Sequence, residues 1–321
     1  MGRRLLVNIV QLTDAQRAAI SAAAERRGFE AVFCDDMPSA LAAAGEAEII
    51  FALDAGLIGA APGLKWVCTP NAGVEQYIKP ALLDREGVML TNSAGAYGVT
   101  ISEHIVMVTL DMMRRMGDYQ ALVRDRGWRR DLPVRSIRDC RVLLLGTGDI
   151  GREAVKRLRA FGPASIIGVN RSGIAQPGVF DAVHPIDKLD DLLPNADLLV
   201  MSLPGTPLTR NVLDARRLML LPEDAYIVNV GRGSAIDEAA LVRLMREGRF
   251  AGVALDVFQE EPLPVDSPLH DCPRLLITPH VAGNMTLPYT VQRIVDLFLE
   301  NFERYCDGLP LKRAVAAERG Y

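Results

Sequence analysis

The stretch Arg141-Val-Leu-Leu-Leu-Gly-Thr-Gly-Asp-Ile-Gly151 decides the fold of this chain. It starts with an apolar run typical of a buried strand, and apolar residues recur at helical spacing after it. The Gly-x-Gly-x-x-Gly pattern between them allows a tight turn, a close approach of backbone to a pyrophosphate and close helix packing. The N-terminus of the helix then offers unpaired N–H groups to phosphates. The stretch therefore predicts a dinucleotide-binding βαβ unit rather than a purely structural turn.

Short apolar runs alternate with helical stretches on both sides of this loop, which predicts parallel sheets. Strands are expected at residues 5–10, 31–34, 48–52, 64–69 and 88–91 before the loop, and at 165–170, 198–202, 226–230, 253–255 and 275–278 after it. With 321 residues, the chain is long enough for two cores of ordinary size. We therefore expect an α/β protein with two Rossmann-like, doubly wound parallel-sheet domains.

A long helix is expected between the two groups of strands. Apolar residues recur at helical spacing over residues 100–116, and Thr100 with Glu103 forms a capping-box pattern at its start. A charged, structure-poor arm is expected over residues 118–139, longer than most loops within a domain. Its basic stretch around Trp128 is interrupted by Asp125, so it is interpreted as a solvated or subunit-contacting loop.

Composition and charge exclude several classes of protein. The 36 basic and 40 acidic residues give a net charge of -4 without a basic domain, so no nucleic-acid partner is expected. The five cysteines are far apart and form no CxxC pair, which predicts reduced thiols in the cytoplasm and no metal site. No apolar segment approaches the roughly 20 residues that cross a bilayer, and the apolar run near the start is interpreted as a first strand.

The end of the strand after the glycine loop bears on the choice of cofactor. An acidic side chain there bonds the ribose 2′-OH and would repel a 2′-phosphate, but this chain has Asn170 followed by Arg171 and Ser172. Because Arg171 and Ser172 can donate to a phosphate, the sequence favours NADP over NAD. In the alternative, Arg171 lies over the adenine and Asn170 bonds the ribose.

Three strand ends carry candidates for chemistry. Arg232 lies between glycines after one strand, Glu260 and Glu261 close a second, and His280 follows a third. Reduction of a ketone next to a carboxylate needs a hydride source, a proton donor and a cation. His280 can donate the proton, a carboxylate on its other ring nitrogen can fix the tautomer, and Arg232 can grip the substrate carboxylate. Spacing alone does not separate the two adjacent glutamates.

In combination, these motifs resemble the D-isomer-specific 2-hydroxyacid dehydrogenase family, in its glyoxylate/hydroxypyruvate reductase-like branch, over nearly the full chain. In the family's order, the motifs besides the glycine loop are Asn71-Ala-Gly-Val-Glu75, Thr100-Ile-Ser-Glu-His104, Asn229-Val-Gly-Arg-Gly233, Asp256-Val-Phe-Gln-Glu-Glu-Pro262 and Thr278-Pro-His280. The resemblance implies a cytoplasmic, homodimeric oxidoreductase that reduces a 2-oxo acid to the D-2-hydroxy acid, or runs the reverse reaction, with NADP preferred over NAD.

The resemblance also implies roles residue by residue. The catalytic set is Arg232, Glu261 and His280, in which Glu261 is the glutamate directly before the proline. The residues expected to contact the cofactor are Gly146, Gly148, Asp149, Ile150, Gly151, Asn170, Arg171, Ser172, Leu203, Pro204, Thr209, Val230, Gly231, Arg232, Asp256, His280 and Gly283. The residues expected to contact the substrate are Asn71, Ala72, Gly73, Tyr97, Arg232 and His280.

The family layout is discontinuous. Residues 1–98 and 285–321 are expected to form a substrate domain around an inserted cofactor domain, residues 99–284, whose helix and arm over 99–139 make the dimer contact. The chain is expected to differ from long phosphoglycerate dehydrogenases, which carry a regulatory tail beyond this length, and from formate dehydrogenases, which have glutamine where Glu261 stands.

A rival interpretation is a dinucleotide-sensing corepressor or scaffold built on the same fold, since fold does not determine function. The intact Arg, Glu and His set favours an enzyme. His104, inside the long helix, is expected to be a packing or interface residue, and His184 and His270 to be loop residues. Which 2-oxo acid is used stays open, with a slight preference for small acids.

Overall fold

The structure is a computed structural model and describes residues 2–77, 87–174 and 177–315. The chain divides into two compact units. The first comprises Met1–Tyr97 together with Met285–Tyr321, and the second is the intervening segment Gly98–Asn284.

The first unit contains a five-stranded parallel sheet. Its strands are β1 (Arg3–Asn8), β2 (Phe29–Phe33), β3 (Ala47–Ala52), β4 (Trp66–Cys68) and β5 (Met89–Thr91), in the order β2-β1-β3-β4-β5. Among the described residues, its helices are α1 (Asp14–Arg26), α2 (Met37–Ala44), α3 (Gly56–Gly59) and, near the end of the chain, α10 (Pro288–Cys306). A capping box between Thr13 and Gln16 starts α1.

The sheet of the first unit is buried on both faces, as parallel sheets are. Ile49, Ile50 and Phe51 follow one another in β3 and each is 0% exposed. The ring of Phe51 stacks on Phe298 of α10 with centroids 4.2 Å apart, so α10 completes the core of the chain's first strands.

The second unit contains a seven-stranded parallel sheet in the order β12-β11-β10-β9-β6-β7-β8. Its strands are β6 (Arg141–Leu145), β7 (Ser165–Asn170), β8 (Ala182–Pro185), β9 (Leu198–Met201), β10 (Tyr226–Asn229), β11 (Gly252–Leu255) and β12 (Leu275–Ile277). Its helices are α4 (Gly98–Arg114), α5 (Met116–Arg124), α6 (Asp149–Arg159), α7 (Leu189–Leu192), α8 (Ala215–Leu220) and α9 (Glu238–Arg246). The strand order reverses between β6 and β9, which is where open α/β sheets bind ligands.

These two sheets confirm the predicted α/β fold class with two Rossmann-like parallel-sheet domains. The details around the long helix differ from the prediction. Helix α4 begins at Gly98, two residues before the predicted capping box, so Thr100 lies inside the helix. Within the described residues, no helix has both the length and the apolar character to cross a membrane.

The prediction of a structure-poor arm from residue 118 was wrong for its first part, because α5 covers Met116–Arg124. Arg115 has a left-handed backbone with φ of 55° and separates α4 from α5. Most of the residues in α5 are good helix formers, such as Gln120, Ala121 and Leu122, and their propensity outweighs the charged composition that suggested an irregular arm.

Candidate active site

The glycine loop joins β6 to α6 at the point where the strand order reverses. Gly146 has φ of 106°, and a Cβ atom there would lie 2.7 Å from Ser202 Oγ. A Cβ atom at Gly151 would lie 2.3 Å from the carbonyl oxygen of Gly146. Gly148 directly precedes α6, so the unpaired N–H groups at the start of this helix lie next to the glycine loop, where no side chain of Gly146 or Gly148 covers the backbone. The loop therefore fits a pyrophosphate, which needs exposed backbone at a helix N-terminus.

Asn170 ties the turn after β7 to the glycine loop. Its amide nitrogen donates to Thr147 Oγ1 and to the Ile174 carbonyl, both at 2.7 Å. Its amide oxygen accepts from the backbone N–H groups of Ser172, at 3.0 Å, and Gly173, at 2.7 Å. Both amide hydrogens are thus engaged within the protein, which weakens the alternative in which Asn170 bonds the ribose. Arg171 and Ser172 are exposed on the turn that Asn170 organises.

Arg232 lies in a tight turn after β10. The side chain of Asn229 closes this turn, because its oxygen accepts from Gly231 N and its nitrogen donates to the Arg232 carbonyl. A Cβ atom at Gly231 would lie 2.7 Å from the backbone nitrogen of Leu203, so the loops after β9 and β10 touch. The Arg232 side chain is partly exposed and donates to the Gly231 carbonyl at 2.8 Å.

Glu261 and His280 form a close pair. Glu261 Oε2 lies 2.6 Å from His280 Nδ1, and Glu261 Oε1 accepts from Phe258 N at 2.9 Å. The side chains of His280 and Glu261 are 50% and 35% exposed, so the pair reaches solvent. Of the two adjacent glutamates that spacing left open, Glu261 is the one that contacts the imidazole. With Nδ1 bonded to Glu261, Nε2 is the ring nitrogen left to face a ligand.

Asp256 organises the backbone that carries His280. It is 2% exposed, and its carboxylate accepts from Thr278 Oγ1 at 2.6 Å, Val281 N at 2.9 Å and Ala282 N at 3.0 Å. Its carbonyl accepts from His280 N at 2.9 Å, and His280 has a left-handed φ of 53°. These bonds hold His280 in a conformation that a bulky residue rarely adopts. The predicted contact of Asp256 with the nicotinamide stays a prediction.

Sequence reasoning gave His104 no role, yet its Nε2 lies 3.4 Å from Thr278 Oγ1. Burial lowers the pKa of His104, and the negative charge of Asp256 opposes that shift. Thr278 donates its hydroxyl hydrogen to Asp256 and can accept from His104. The signal that could have suggested this contact is the presence of both residues in the motifs that carry the family resemblance.

Glu238 was also missed. It is the first residue of α9, and its carboxylate accepts from Gln259 N at 2.6 Å, one residue after the amide that Glu261 binds. Burial raises the pKa of Glu238, and the nearby negative charge of Glu261 raises that pKa further. Two adjacent backbone amides of the turn before Glu261 therefore donate to carboxylates, Phe258 N to Glu261 and Gln259 N to Glu238.

The other predicted cofactor residues follow β9, β10 or β12, at the carboxyl edge of the same sheet as the glycine loop. Leu203 is buried, Pro204 is exposed, and Thr209 Oγ1 donates to the Pro204 carbonyl at 2.6 Å. Whether these residues contact a cofactor stays a prediction. Among residues 2–77, 87–174 and 177–315, no group of three His, Cys, Asp or Glu side chains suits a metal ion.

The predicted substrate loop, Asn71 to Gly73, lies in the first unit and follows β4 after Thr69 and Pro70. Tyr97 is only 6% exposed, and its hydroxyl donates to the Pro70 carbonyl at 2.8 Å. The structure therefore gives Tyr97 a supporting contact under this loop. Its predicted contact with substrate stays a prediction, as do those of Asn71, Ala72 and Gly73.

Comparison with known proteins gives consistent matches. Residues 106–282 match the family model described as D-isomer specific 2-hydroxyacid dehydrogenase, NAD binding domain. The chain is 31% identical over 263 residues to glyoxylate/hydroxypyruvate reductase A of Salmonella newport (strain SL254), covering 80% of this chain and 82% of that protein.

Solved structures match over almost the whole chain. A D-isomer specific 2-hydroxyacid dehydrogenase family protein from Aeromonas salmonicida has a TM-score of 0.87 at 32% identity, covering 98% of this chain and 99% of that one. The NADPH-dependent glyoxylate/hydroxypyruvate reductase from Sinorhizobium meliloti, solved with NADP and sulfate, has a TM-score of 0.81 at 28% identity, covering 99% and 100%.

Proposed function

The chain belongs to the D-isomer specific 2-hydroxyacid dehydrogenase family, and from this premise we propose that it reduces a 2-oxo acid to the D-2-hydroxy acid with NADPH. The chain is a nicotinamide-dependent oxidoreductase of the glyoxylate/hydroxypyruvate reductase-like branch. The observation that carries the finer proposal is the 2.6 Å pair between His280 and Glu261, in the same unit as the glycine loop.

Each member of the proposed catalytic set has one task. His280 donates the proton on Nε2 to the carbonyl oxygen of the substrate, which becomes the hydroxyl group. Glu261 accepts the hydrogen on Nδ1 and thereby fixes the tautomer and the orientation of the ring. Arg232 binds the substrate carboxylate through its guanidinium group. Because His280 is half-exposed, water can return the proton to Nε2 after each turnover.

The glycine loop and the turn after β7 would hold the cofactor, which supplies the hydride when bound. Arg171 and Ser172 bind the 2′-phosphate in this proposal, and Asn170 keeps their turn in place. Relatives solved with NADP or NADPH support this choice. The five cysteines are free thiols, which supports action in the reducing cytoplasm.

We also propose a homodimer, with a second copy covering α5 and the segment after it. Val123 of α5 is 59% exposed, and Trp128 is 87% exposed although tryptophan is highly buried on average. Arg124 and Arg130 flank Trp128 in the sequence, and interfaces are enriched in Trp and Arg.

The function is tested by mixing the purified protein with NADPH and a panel of 2-oxo acids: glyoxylate, hydroxypyruvate, and branched or aromatic acids. We expect the absorbance of the reduced nicotinamide to fall with at least one acid. Binding of NADPH without consumption across the panel would instead favour a dinucleotide sensor on the same fold.

The mechanism is tested by His280→Ala, which should lower kcat at least about 100-fold because a general acid is lost. His270→Ala is the matched control, since His270 is an exposed residue whose ring hydrogen-bonds only the Pro264 carbonyl among described groups. Retention of wild-type kcat by His280→Ala would reject the assigned role.

A further inference from the structure

The loop after β4 is held through its carbonyl groups. Four consecutive carbonyl oxygens, those of residues 69–72, accept hydrogen bonds from one later segment, residues 92–97, which follows the neighbouring strand β5. In chain order the pairs are Ser93 Oγ to Thr69 O at 3.0 Å, Tyr97 Oη to Pro70 O at 2.8 Å, Ser93 N to Asn71 O at 2.9 Å and Asn92 Nδ2 to Ala72 O at 2.9 Å.

The amide hydrogens of the loop are oriented by the same bonds. In a trans peptide the C=O and N–H groups point in opposite directions. The N–H groups of Ala72 and Gly73 therefore point away from residues 92–97. Within the part of the chain that the structure describes, neither amide donates to a backbone or side-chain acceptor. Ala72 is exposed and Gly73 partly so, which leaves two adjacent donors open to an anion.

One side chain decides the direction of the second donor. The peptide between Ala72 and Gly73 is anchored through its carbonyl by Asn92 Nδ2 alone among described groups, whereas the preceding peptide is anchored by the backbone of Ser93. Such a peptide turns over easily when glycine follows it, because glycine accepts both signs of φ. Turned over, it would present a carbonyl oxygen where the anion binds.

We propose that Asn92 is a positioning residue for the substrate: it prevents the Ala72–Gly73 peptide from turning over and so presents the Gly73 amide to the carboxylate of the 2-oxo acid. This inference rests on the proposed function. Asn92 itself is held in place, since it is 8% exposed and its Oδ1 accepts from Ala94 N at 3.2 Å. Arg313 Nε fixes the same segment by donating to the Ala94 carbonyl.

The test is Asn92→Asp, which keeps the shape and the acceptor for Ala94 but replaces the donor with a negative charge beside the Ala72 carbonyl. We expect KM for the best 2-oxo acid to rise roughly 10- to 100-fold, as for a buried polar group that loses its partner, while KM for NADPH stays unchanged. A neutral analogue without the carboxylate, such as methylglyoxal, should show no comparable rise in KM. Asn92→Ser, whose hydroxyl lies one bond closer to the backbone and so falls short of the Ala72 carbonyl, should give a smaller rise in the same direction without added charge.

The matched control is Asn301→Asp in the same unit. Asn301 is 2% exposed, and its amide also donates to a backbone carbonyl, that of Lys312, at 2.9 Å. Equal effects of the two substitutions on KM would overturn the proposal, as would an equal rise for the acid and for methylglyoxal. Calorimetric titration with oxalate tests the positioning role of Asn92 separately from the proposed reductase function. Wild-type protein that consumes no 2-oxo acid refutes the function, whereas unchanged oxalate affinity in Asn92→Asp and Asn92→Ser refutes the positioning role.

Discussion

Replacing Gly233 by alanine should disable the proposed catalytic set without altering any of its three side chains. A Cβ atom at this position would lie 1.9 Å from the carbonyl carbon and 2.2 Å from the carbonyl oxygen of Phe258. Ordinary contact begins near 3.4 Å, so the two backbone segments would have to separate by about 1.5 Å. These Phe258 atoms belong to the backbone and cannot move aside as the end of a side chain can.

The size of the effect follows from this displacement. Gly233 adjoins Arg232, and Phe258 N donates to Glu261 Oε1, so the shift moves Arg232 relative to Glu261. A misplacement of 1 Å can cost about 100-fold in rate. We therefore expect kcat/KM to fall at least about 100-fold. The free energy of unfolding should fall by about 1–3 kcal/mol, the usual cost of forcing extra atoms into a packed region.

Both quantities can be measured on one preparation, by steady-state oxidation of NADPH and by urea unfolding. The control is Gly45→Ala: Gly45 caps α2 with φ of -57°, and a Cβ atom there meets nothing within 4 Å. Its unfolding free energy should equal that of wild type or exceed it by up to about 1 kcal/mol, because alanine fits this backbone and has fewer unfolded conformations to lose. Wild-type kcat/KM together with wild-type stability in Gly233→Ala would refute the reasoning.

Three further predictions concern single charges. Arg171→Ala should raise KM for NADPH about tenfold or more and leave KM for NADH unchanged, since a charge-assisted bond to phosphate is lost; equal effects on both cofactors would contradict the assignment. Burial lowers the pKa of His104, so as pH falls below 6.5 the unfolded chain binds a proton at this residue before the folded chain does, and the folded state loses stability. In His104→Gln, the free energy of unfolding measured with urea should therefore decrease less between about pH 7 and pH 5. The same pH dependence of the unfolding free energy in wild type and in His104→Gln would refute the contribution of His104. Because burial raises the pKa of Glu238 above 4.5, Glu238→Gln should be more stable than wild type at pH 7.5, with the gain vanishing near pH 4. A gain that does not vary with pH would argue against titration of Glu238.

Local signals explain which parts of the fold were predictable. The strand, glycine loop and helix around Gly146 are encoded within one short stretch, so their type could be predicted directly. Strand β8 was missed because Ala182–Pro185 is only partly buried at the sheet edge and lacks a long apolar run. Helix α5 was missed because its charged residues suggested an irregular arm.

Contacts between distant segments could not be predicted from spacing. His104 and Thr278 are 174 positions apart in the chain, and their approach depends on how α4 lies against the sheet. Asn92 and Ala72 meet only because β4 and β5 are neighbours. Glu260 and Glu261 are equivalent in spacing, and the turn at Phe258 decides which of them contacts His280.

The order of the strands has a consequence for how the enzyme can diversify. Arg232, Glu261 and His280 follow β10, β11 and β12, which are consecutive neighbours, whereas Asn170 ends β7, five strand positions from β12. With strands about 4.8 Å apart, roughly 24 Å separates β7 from β12. The effects of substitutions at such a distance on free energy usually add without coupling. Under the proposed assignments, cofactor choice and reaction chemistry therefore occupy separate regions of one sheet, and selection or engineering can change one while the other is preserved.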